Sequence, residues 1–365
     1  MKIGILTFHR AINYGAVLQC YALQETLKSL GHDVEVVDYR VLFVEHFRKF
    51  VSCEAFLQQK SIVRKIVYLI SCLANIKPTL TSIASFDSFL NSKLKISKQI
   101  YTPQNINQAD YDMFVVGSDQ VWNITFAKGF DPLFWGDCIS TKRIISYAAS
   151  IGASKEIPEE QIPSIIQRLE NFQNVSVREL DFQQWLLWKC NYNATLVLDP
   201  TLLINKDIYD RIAIKPQFNR FVLVYALENV DGIFNFANFI AKRLGCTVIR
   251  VMAKHSQIRK QPYKIVSSVK PEEFLGYFKY ADFTIVASFH GTVFSLMFQK
   301  DFYVAQSPHD NRARGLLTKI GLEDRLVDVK NQLEPSCIKY SGIEDKLAQL
   351  RSESLGFLSK SLKES

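Results

Sequence analysis

The sequence predicts an α/β protein of two doubly wound, Rossmann-like domains facing each other across a cleft. Three observations carry this. A strand, a helix and a second strand follow one another within the first 38 residues, which is a βαβ unit and hence the start of a parallel sheet. The same alternation returns from residue 221, where apolar strand segments are again separated by helical ones. Finally, 365 residues with 48% hydrophobic content suit two packed cores.

Taken in order, residues 3–8 form the first strand and 9–14 a loop. Ala16, Cys20, Leu23, Leu27 and Leu30 then recur at four-three-four-three spacing, one face of a helix. Gly31 stops that helix at the usual C-terminal position, and 34–37 is the second strand. The first loop lacks the GxGxxG fingerprint of dinucleotide sites. Its Asn13 and Tyr14 nevertheless sit at the carboxyl end of strand one, where open α/β sheets bind ligands. Residues 41–95 read as mostly helical. Within them, 61–76 carries Ile62, Val63, Ile66, Val67, Leu69, Ile70 and Leu73, with Arg64 and Lys65 between. A helix packed on its own domain is the favoured expectation there; a membrane-surface helix is the alternative.

Residues 112–116 form a strand ending in the polar loop Gly117-Ser-Asp-Gln-Val-Trp-Asn123. Ser118, Asp119 and Gln120 are candidates to hold sugar hydroxyls, and Trp122 to stack on a sugar face. The alternative is an ordinary turn in which Asp119 caps the next helix. A strand over 143–149 follows, and 174–177 delivers Arg178 and Glu179 to a strand tip. An Arg aimed into a cleft binds a carboxylate or phosphate bidentately; an Arg–Glu surface pair is the commoner alternative. The strand 195–198 is closed by Asp199-Pro200, and the polar segment 205–220 reads as the linker. The chain then divides into an N-terminal domain over 1–204 and a C-terminal domain over 221–365 that includes the closing helices.

In the second half, strands over 221–227, 247–251, 283–287 and 302–305 alternate with helices over 233–244, 271–280 and 291–298. The joint Ser288-Phe-His-Gly291 points free backbone N–H groups at its turn, and the helix dipole adds partial positive charge. Ser288, His290 and Thr292 add side-chain donors, and Gly291 permits close backbone approach. An anion site with a titratable imidazole beside it, and a buried His that merely satisfies the turn, fit this spacing equally well. After the last strand come His309, Asn311, Arg312 and Arg314, expected on a loop opening on the same cleft.

A net charge of +8 favours anionic partners such as phosphorylated substrates, acidic glycans or a membrane surface. No block of Lys and Arg argues for nucleic acid. The 7 Cys include no CxxC pair, the usage of a reducing compartment. No apolar run reaches the roughly 18 residues of a membrane-spanning helix, and no signal peptide is evident, so a cytoplasmic protein is expected. No metal-ligand cluster is visible.

Five segments together resemble the polysaccharide pyruvyl transferase family: Asn13-Tyr-Gly-Ala-Val-Leu-Gln19, Val115-Val-Gly-Ser-Asp-Gln-Val-Trp122, Ser176-Val-Arg-Glu179, Leu198-Asp-Pro-Thr201 and Ser288-Phe-His-Gly-Thr292. Each is weak alone; the five in this order are specific, and the likeness runs from about residue 4 to 325. It implies a fold similar to the GT-B glycosyltransferases. It also implies transfer of pyruvate from phosphoenolpyruvate onto two sugar hydroxyls of a surface-polysaccharide precursor, forming a cyclic ketal and releasing phosphate, without a metal or other cofactor. Phosphoenolpyruvate and a lipid-linked oligosaccharide acceptor are the expected partners; peripheral membrane contact through 61–76 is the alternative reading of that segment on a basic chain. By this resemblance His290 and Arg178 serve the donor; the joint itself adds Ser288, Gly291 and Thr292 on a donor side expected in the C-terminal domain, with Arg178 reaching in from the N-terminal one. The N-terminal domain takes the acceptor, through Asn13, Tyr14, Ser118, Gln120 and Trp122. His290 would move protons, and Asp119 or Glu179 would act as base. The pattern departs at Ala287 and Ser288, where many members carry Asp, or Asp followed by Arg. Arg312 and Arg314 are the cations expected to compensate. Two other functions compete: a glycosyltransferase using a nucleotide sugar in the same cleft, and a non-catalytic glycan-binding subunit.

Overall fold

The computed structural model describes residues 1–49, 56–57, 59, 61–140, 142–152, 157–227, 230–253, 263–306 and 312–363. Two sheets, parallel throughout, organise it. The first holds β1 (Lys2–Leu6), β2 (Asp33–Tyr39), β3 (Ile96–Tyr101), β4 (Met113–Val116), β5 (Arg143–Ala149), β6 (Asn174–Val177) and β7 (Thr195–Leu196), in the order β3-β2-β1-β4-β5-β6-β7. The second holds β8 (Phe221–Ala226), β9 (Thr247–Met252), β10 (Lys264–Ser267), β11 (Phe283–Ala287), β12 (Phe302–Ala305) and β13 (Leu326–Val327), in the order β10-β9-β8-β11-β12-β13. Helices cover both faces, so the central strands are apolar on both sides; all four residues of β4 and all six of β8 are buried.

The helices of the first half are α1 (Tyr14–Ser29), α2 (Leu42–Phe47), α3 (Ile62–Ala74), α4 (Ile76–Lys93), α5 (Ile124–Ala127), α6 (Ile162–Leu169) and α7 (Leu180–Cys190). Those that follow are α8 (Lys206–Ile212), α9 (Ile233–Leu244), α10 (Pro271–Tyr280), α11 (Phe289–Met297), α12 (Arg312–Ile320) and α13 (Ile343–Lys363). Strands β5, β6, β11 and β12 fall on their predicted bounds. The three strands that pattern reading misses, β3, β10 and β13, all lie at sheet edges. An edge strand needs no continuous apolar run, and ISKQIY and KIVS have none.

The two halves share a core. Tyr14, at the start of α1, stacks on Phe274 of α10 at 4.2 Å and on Phe86 of α4 at 5.0 Å. Its hydroxyl donates to the Val269 carbonyl at 3.1 Å. Segment 205–220, expected as a linker, contains α8, whose Tyr209 is fully buried and donates to the Thr201 carbonyl at 3.1 Å. The closing helix α13 belongs to both halves. Near its start, Lys346 donates to the Ile320 carbonyl. Further along, Arg351 donates to the Leu202 carbonyl, the Ser354 hydroxyl accepts from the Leu198 N–H, and the Ser361 carbonyl accepts from Arg143. A chain cut at residue 221 would therefore leave α13 spanning the boundary.

Helix α3 overturns the expectation that it packs on its own domain: none of its residues is buried. Among the described residues no single helix is long and apolar enough to cross a membrane.

Candidate functional site

In a doubly wound sheet the strand order reverses at one place, and the loops leaving the strands there part to form a crevice. In the first sheet this lies between β1 and β4, in the second between β8 and β11. The loops after β1 and β4 and the turn after β11 meet across the interface, and Arg178, at the tip of β6, lies beneath them.

The Arg178 side chain is 1% exposed. Its Nε donates to Glu179 Oε1 at 2.9 Å, its Nη1 to Asp199 Oδ2 at 2.7 Å, and its Nη2 to Asp119 Oδ1 at 3.3 Å. The guanidinium lies over the Phe289 ring, 5.1 Å from its centroid. Burial opposes the Arg178 charge, but Glu179, Asp199 and Asp119 outweigh it and raise its pKa. Burial likewise works against the Asp199 carboxylate; His290, Arg178 and Thr201 more than offset it and hold the group well below the usual range. At Glu179 the balance goes the other way. Burial prevails over Arg178 and raises the carboxyl.

Local backbone explains how Asp119 reaches this cluster. Gly117 has φ +117, and a Cβ there would lie 2.2 Å from the Tyr147 carbonyl oxygen; only glycine fits. Asp119 itself has φ 74, a left-handed conformation that Asp tolerates better than most residues. The turn is tied down from just beyond β1, where Thr7 Oγ1 donates to the Ser118 carbonyl at 2.9 Å and in turn accepts from Gln19.

His290 enters from α11. Ser288 caps this helix, its Oγ accepting from the Gly291 N–H at 3.1 Å, and Thr292 Oγ1 donates back to the Ser288 carbonyl. His290 Nε2 lies 3.6 Å from Asp199 Oδ2. Behind the ring is Gly15 of α1: a Cβ on that residue would sit 2.1 Å from His290 Nδ1. This sets a test. Gly15→Ala in an ordinary helix stabilises by up to about 1 kcal/mol. Here the ring must swing off Asp199, so turnover should fall at least roughly tenfold. Unchanged turnover in the Gly15→Ala protein would show that the ring's position is immaterial.

Two cavities flank the cluster. One, about 350 Å³, is lined by Arg178, Glu179, Asp199 and Phe289 and by Arg312, Arg314 and Lys319 of α12. Burial pushes the Lys319 ammonium pKa down. The other, about 330 Å³, lies at the switch point of the first sheet, between Asn13 and Ile12 after β1, Asp119 and Gln120 after β4, and Phe43 and Phe126. Asp119 thus faces one cavity while Glu179 and Asp199 face the other, with a single guanidinium bonded to all three.

Several sequence expectations change. Trp122 is fully buried, stacked on Trp135 at 4.9 Å with its Nε1 donating to the Phe134 carbonyl, so it presents no face to a sugar. Tyr14 is consumed by the contact between halves. Ser118 is buried, 3.0 Å from the Ala148 carbonyl and 3.3 Å from Asp199. Ser288, Gly291 and Thr292 are buried and spend their polar groups on the helix start. Arg178 has its fork occupied by carboxylates of the chain. Asn13, Gln120 and Asp119 do line a cavity, although Asn13 also caps α1. Arg312 and Arg314 line the other cavity from the first turn of a helix rather than from a loop; His309 and Asn311 lie outside the described residues. Pattern reading misses Asp199 and Lys319. Asp199-Pro200 reads as a strand end, yet the Asp199 carboxylate both caps the turn at Thr201 and joins Arg178 to His290. Lys319 lies on the cavity side of α12 only once that helix is placed.

Comparison with known proteins adds the following. A sequence model described as polysaccharide pyruvyl transferase matches residues 13–305. No curated protein is significantly similar in sequence. Among solved structures, one described as a UDP-N-acetylglucosamine 2-epimerase from Listeria monocytogenes superposes with a TM-score of 0.51 at 11% identity, covering 99% of this chain and 90% of that one. The UDP-GlcNAc 2-epimerase of Methanocaldococcus jannaschii, in complex with UDP-GlcNAc and UDP, gives 0.47 at 12% identity over 96% and 100% of the two chains. The spinosyn rhamnosyltransferase SpnG gives 0.45 at 12% over 100% of both. At such identities these likenesses concern the fold alone.

Proposed function

Because the chain belongs to the polysaccharide pyruvyl transferase family, and is therefore a transferase, we propose that it moves pyruvate from phosphoenolpyruvate onto two hydroxyls of one sugar in a surface-polysaccharide precursor. The products are a cyclic ketal and phosphate. The observation that carries this reading is the pair of cavities joined through Arg178: a cationic one for a small dianion, and a mixed one for a sugar.

The donor carries a carboxylate and a phosphate and needs more than one cation. Arg312, Arg314 and Lys319 line the first cavity and suit it. The second cavity offers the aromatic walls of Phe43 and Phe126 with Asn13, Asp119 and Gln120 to bond hydroxyls. A proton delivered to the donor's methylene carbon, from His290, leaves an oxocarbenium-like centre at the adjacent carbon. The first hydroxyl adds there and gives its proton to Asp119, which faces the acceptor cavity. Phosphate then departs, and the second hydroxyl closes the ring with loss of its own proton. Phosphoenolpyruvate is a co-substrate, and no cofactor enters these steps. The acceptor is proposed to be lipid-linked and the enzyme to act on the cytoplasmic side.

Incubation with phosphoenolpyruvate and a panel of lipid-linked saccharides tests the reading. Phosphate release together with acceptor gaining the mass of a ketal-linked pyruvate supports it. Consumption of a nucleotide sugar instead would establish a glycosyltransferase, and binding without turnover a non-catalytic glycan-binding subunit. Arg312→Gln and Arg314→Gln, made singly, should raise the KM for phosphoenolpyruvate, at least one of them by roughly tenfold or more, with the acceptor KM nearly constant. If neither variant changes the donor KM, the donor binds elsewhere.

A further inference from the structure

Helix α3 is amphipathic the wrong way round. At about 100° per residue, Ile62, Val63, Ile66, Val67, Leu69, Ile70 and Leu73 share one sector roughly 160° wide. The opposite sector holds Arg64, Lys65, Tyr68, Ser71 and Cys72. In a helix covering a core, the apolar sector faces in. Here Lys65, Tyr68 and Cys72 are the partly covered residues, with Lys65 over the Phe56 ring at 5.3 Å. Ile62, Val63, Ile66, Val67, Ile70 and Leu73 are each more than half exposed. Water solvates such a face poorly, at about 25 cal/mol per Å² of apolar surface.

We infer that α3 is an interfacial helix which seats this face in an anionic lipid bilayer. Charge selects this occupant. From Ser61 to Phe86 the sequence contains Arg64, Lys65 and Lys77 and no Asp or Glu. Long basic side chains flanking an apolar sector reach the headgroup layer while the sector sits among acyl chains. A second copy of the chain fits less well. The footprint of 13 residues is about 20 Å by 10 Å, far below the roughly 800 Å² per partner of a stable interface. Spanning is also excluded for the pair α3 and α4. They meet at a 54° bend, and α4 is held to the other half by Ser82, whose hydroxyl donates to the Ala253 carbonyl, and Ser85, whose hydroxyl donates to the Ser268 carbonyl. The inference does not depend on the reaction proposed above.

Flotation of the full chain with vesicles of phosphatidylcholine alone, or mixed equally with phosphatidylglycerol, tests this without substrate. The protein should float with the anionic vesicles at low salt and lose most of that binding at about 0.5 M salt, where charges are screened within a few Å. Ile66→Glu combined with Ile70→Glu should reduce binding at least roughly tenfold; both sites are exposed, so an unchanged melting curve is expected. Arg64→Gln with Lys65→Gln should weaken anionic binding by about fivefold per charge. If the wild type floats with neither vesicle, or if the Ile66→Glu/Ile70→Glu protein floats as well as the wild type, the inference is overturned. It is equally overturned if the wild type stays unbound and sediments as a dimer that this variant splits.

Discussion

His290→Ala is expected to lower turnover by roughly two orders of magnitude or more, the usual scale for loss of a general acid or base, while the protein stays folded. The ring is held between the Asp199 carboxylate on its Nε2 side and Gly15 on its Nδ1 side, so it has little freedom to act from another position. Its removal leaves Asp199 with Arg178, Ser118 and Thr201 as partners. The buried carboxylate is therefore not stranded, and stability should change by far less than activity. Phosphate release from phosphoenolpyruvate in the presence of acceptor, measured beside a thermal melt, separates the two effects. Near-normal turnover in a folded His290→Ala protein would remove His290 from the reaction and leave it as a partner of Asp199 alone.

Arg178→Lys is expected to cost about 1–3 kcal/mol of stability, the scale for leaving buried hydrogen-bonding groups without their partners. Charge is conserved in this substitution, and geometry is not. The guanidinium presents separate N–H groups to Glu179, Asp199 and Asp119 in one plane and lays its face on Phe289. A single ammonium on a flexible stem cannot hold three diverging carboxylates at once. With a total stability of roughly 5–15 kcal/mol for a typical domain, this loss should appear as a melting temperature lower by several degrees, together with weaker use of the donor. Should the Arg178→Lys protein melt like the wild type while only the KM for phosphoenolpyruvate rises, Arg178 contacts the donor directly and its cluster is not what holds the site together.

Part of this could be read along the chain. The strand-to-helix joint at 288–291, the tip at Arg178 and the loop at 117–123 are all local: an apolar strand run followed by small and polar residues marks where a sheet opens. Asn13, Asp119 and Gln120 are legible for the same reason. Arg312 and Arg314 follow from needing a second cation near a strand end, although the helix that carries them was expected as a loop. Local pattern fails wherever a residue's role is set by what approaches it from another part of the chain. Trp122 and Tyr14 look like ligands in sequence because an aromatic in a polar loop often is one; Trp135 in the first case and Phe274 in the second claim them. Gly15 is an unremarkable helix residue until His290 arrives from nearly three hundred residues away.

The sequence by itself determined the two parallel sheets, their boundaries near the centre of each, and the family, because these depend on apolar periodicity and on short motifs in a set order. Tertiary structure alone decided that Asp119, Glu179 and Asp199 gather on one guanidinium, and that Lys319 joins the cationic cavity. It alone decided that α13 ties both halves together and that α3 turns its apolar face outward. Those outcomes depend on which surfaces bury one another and on how buried charges find partners, and neither is a property of neighbours along the chain.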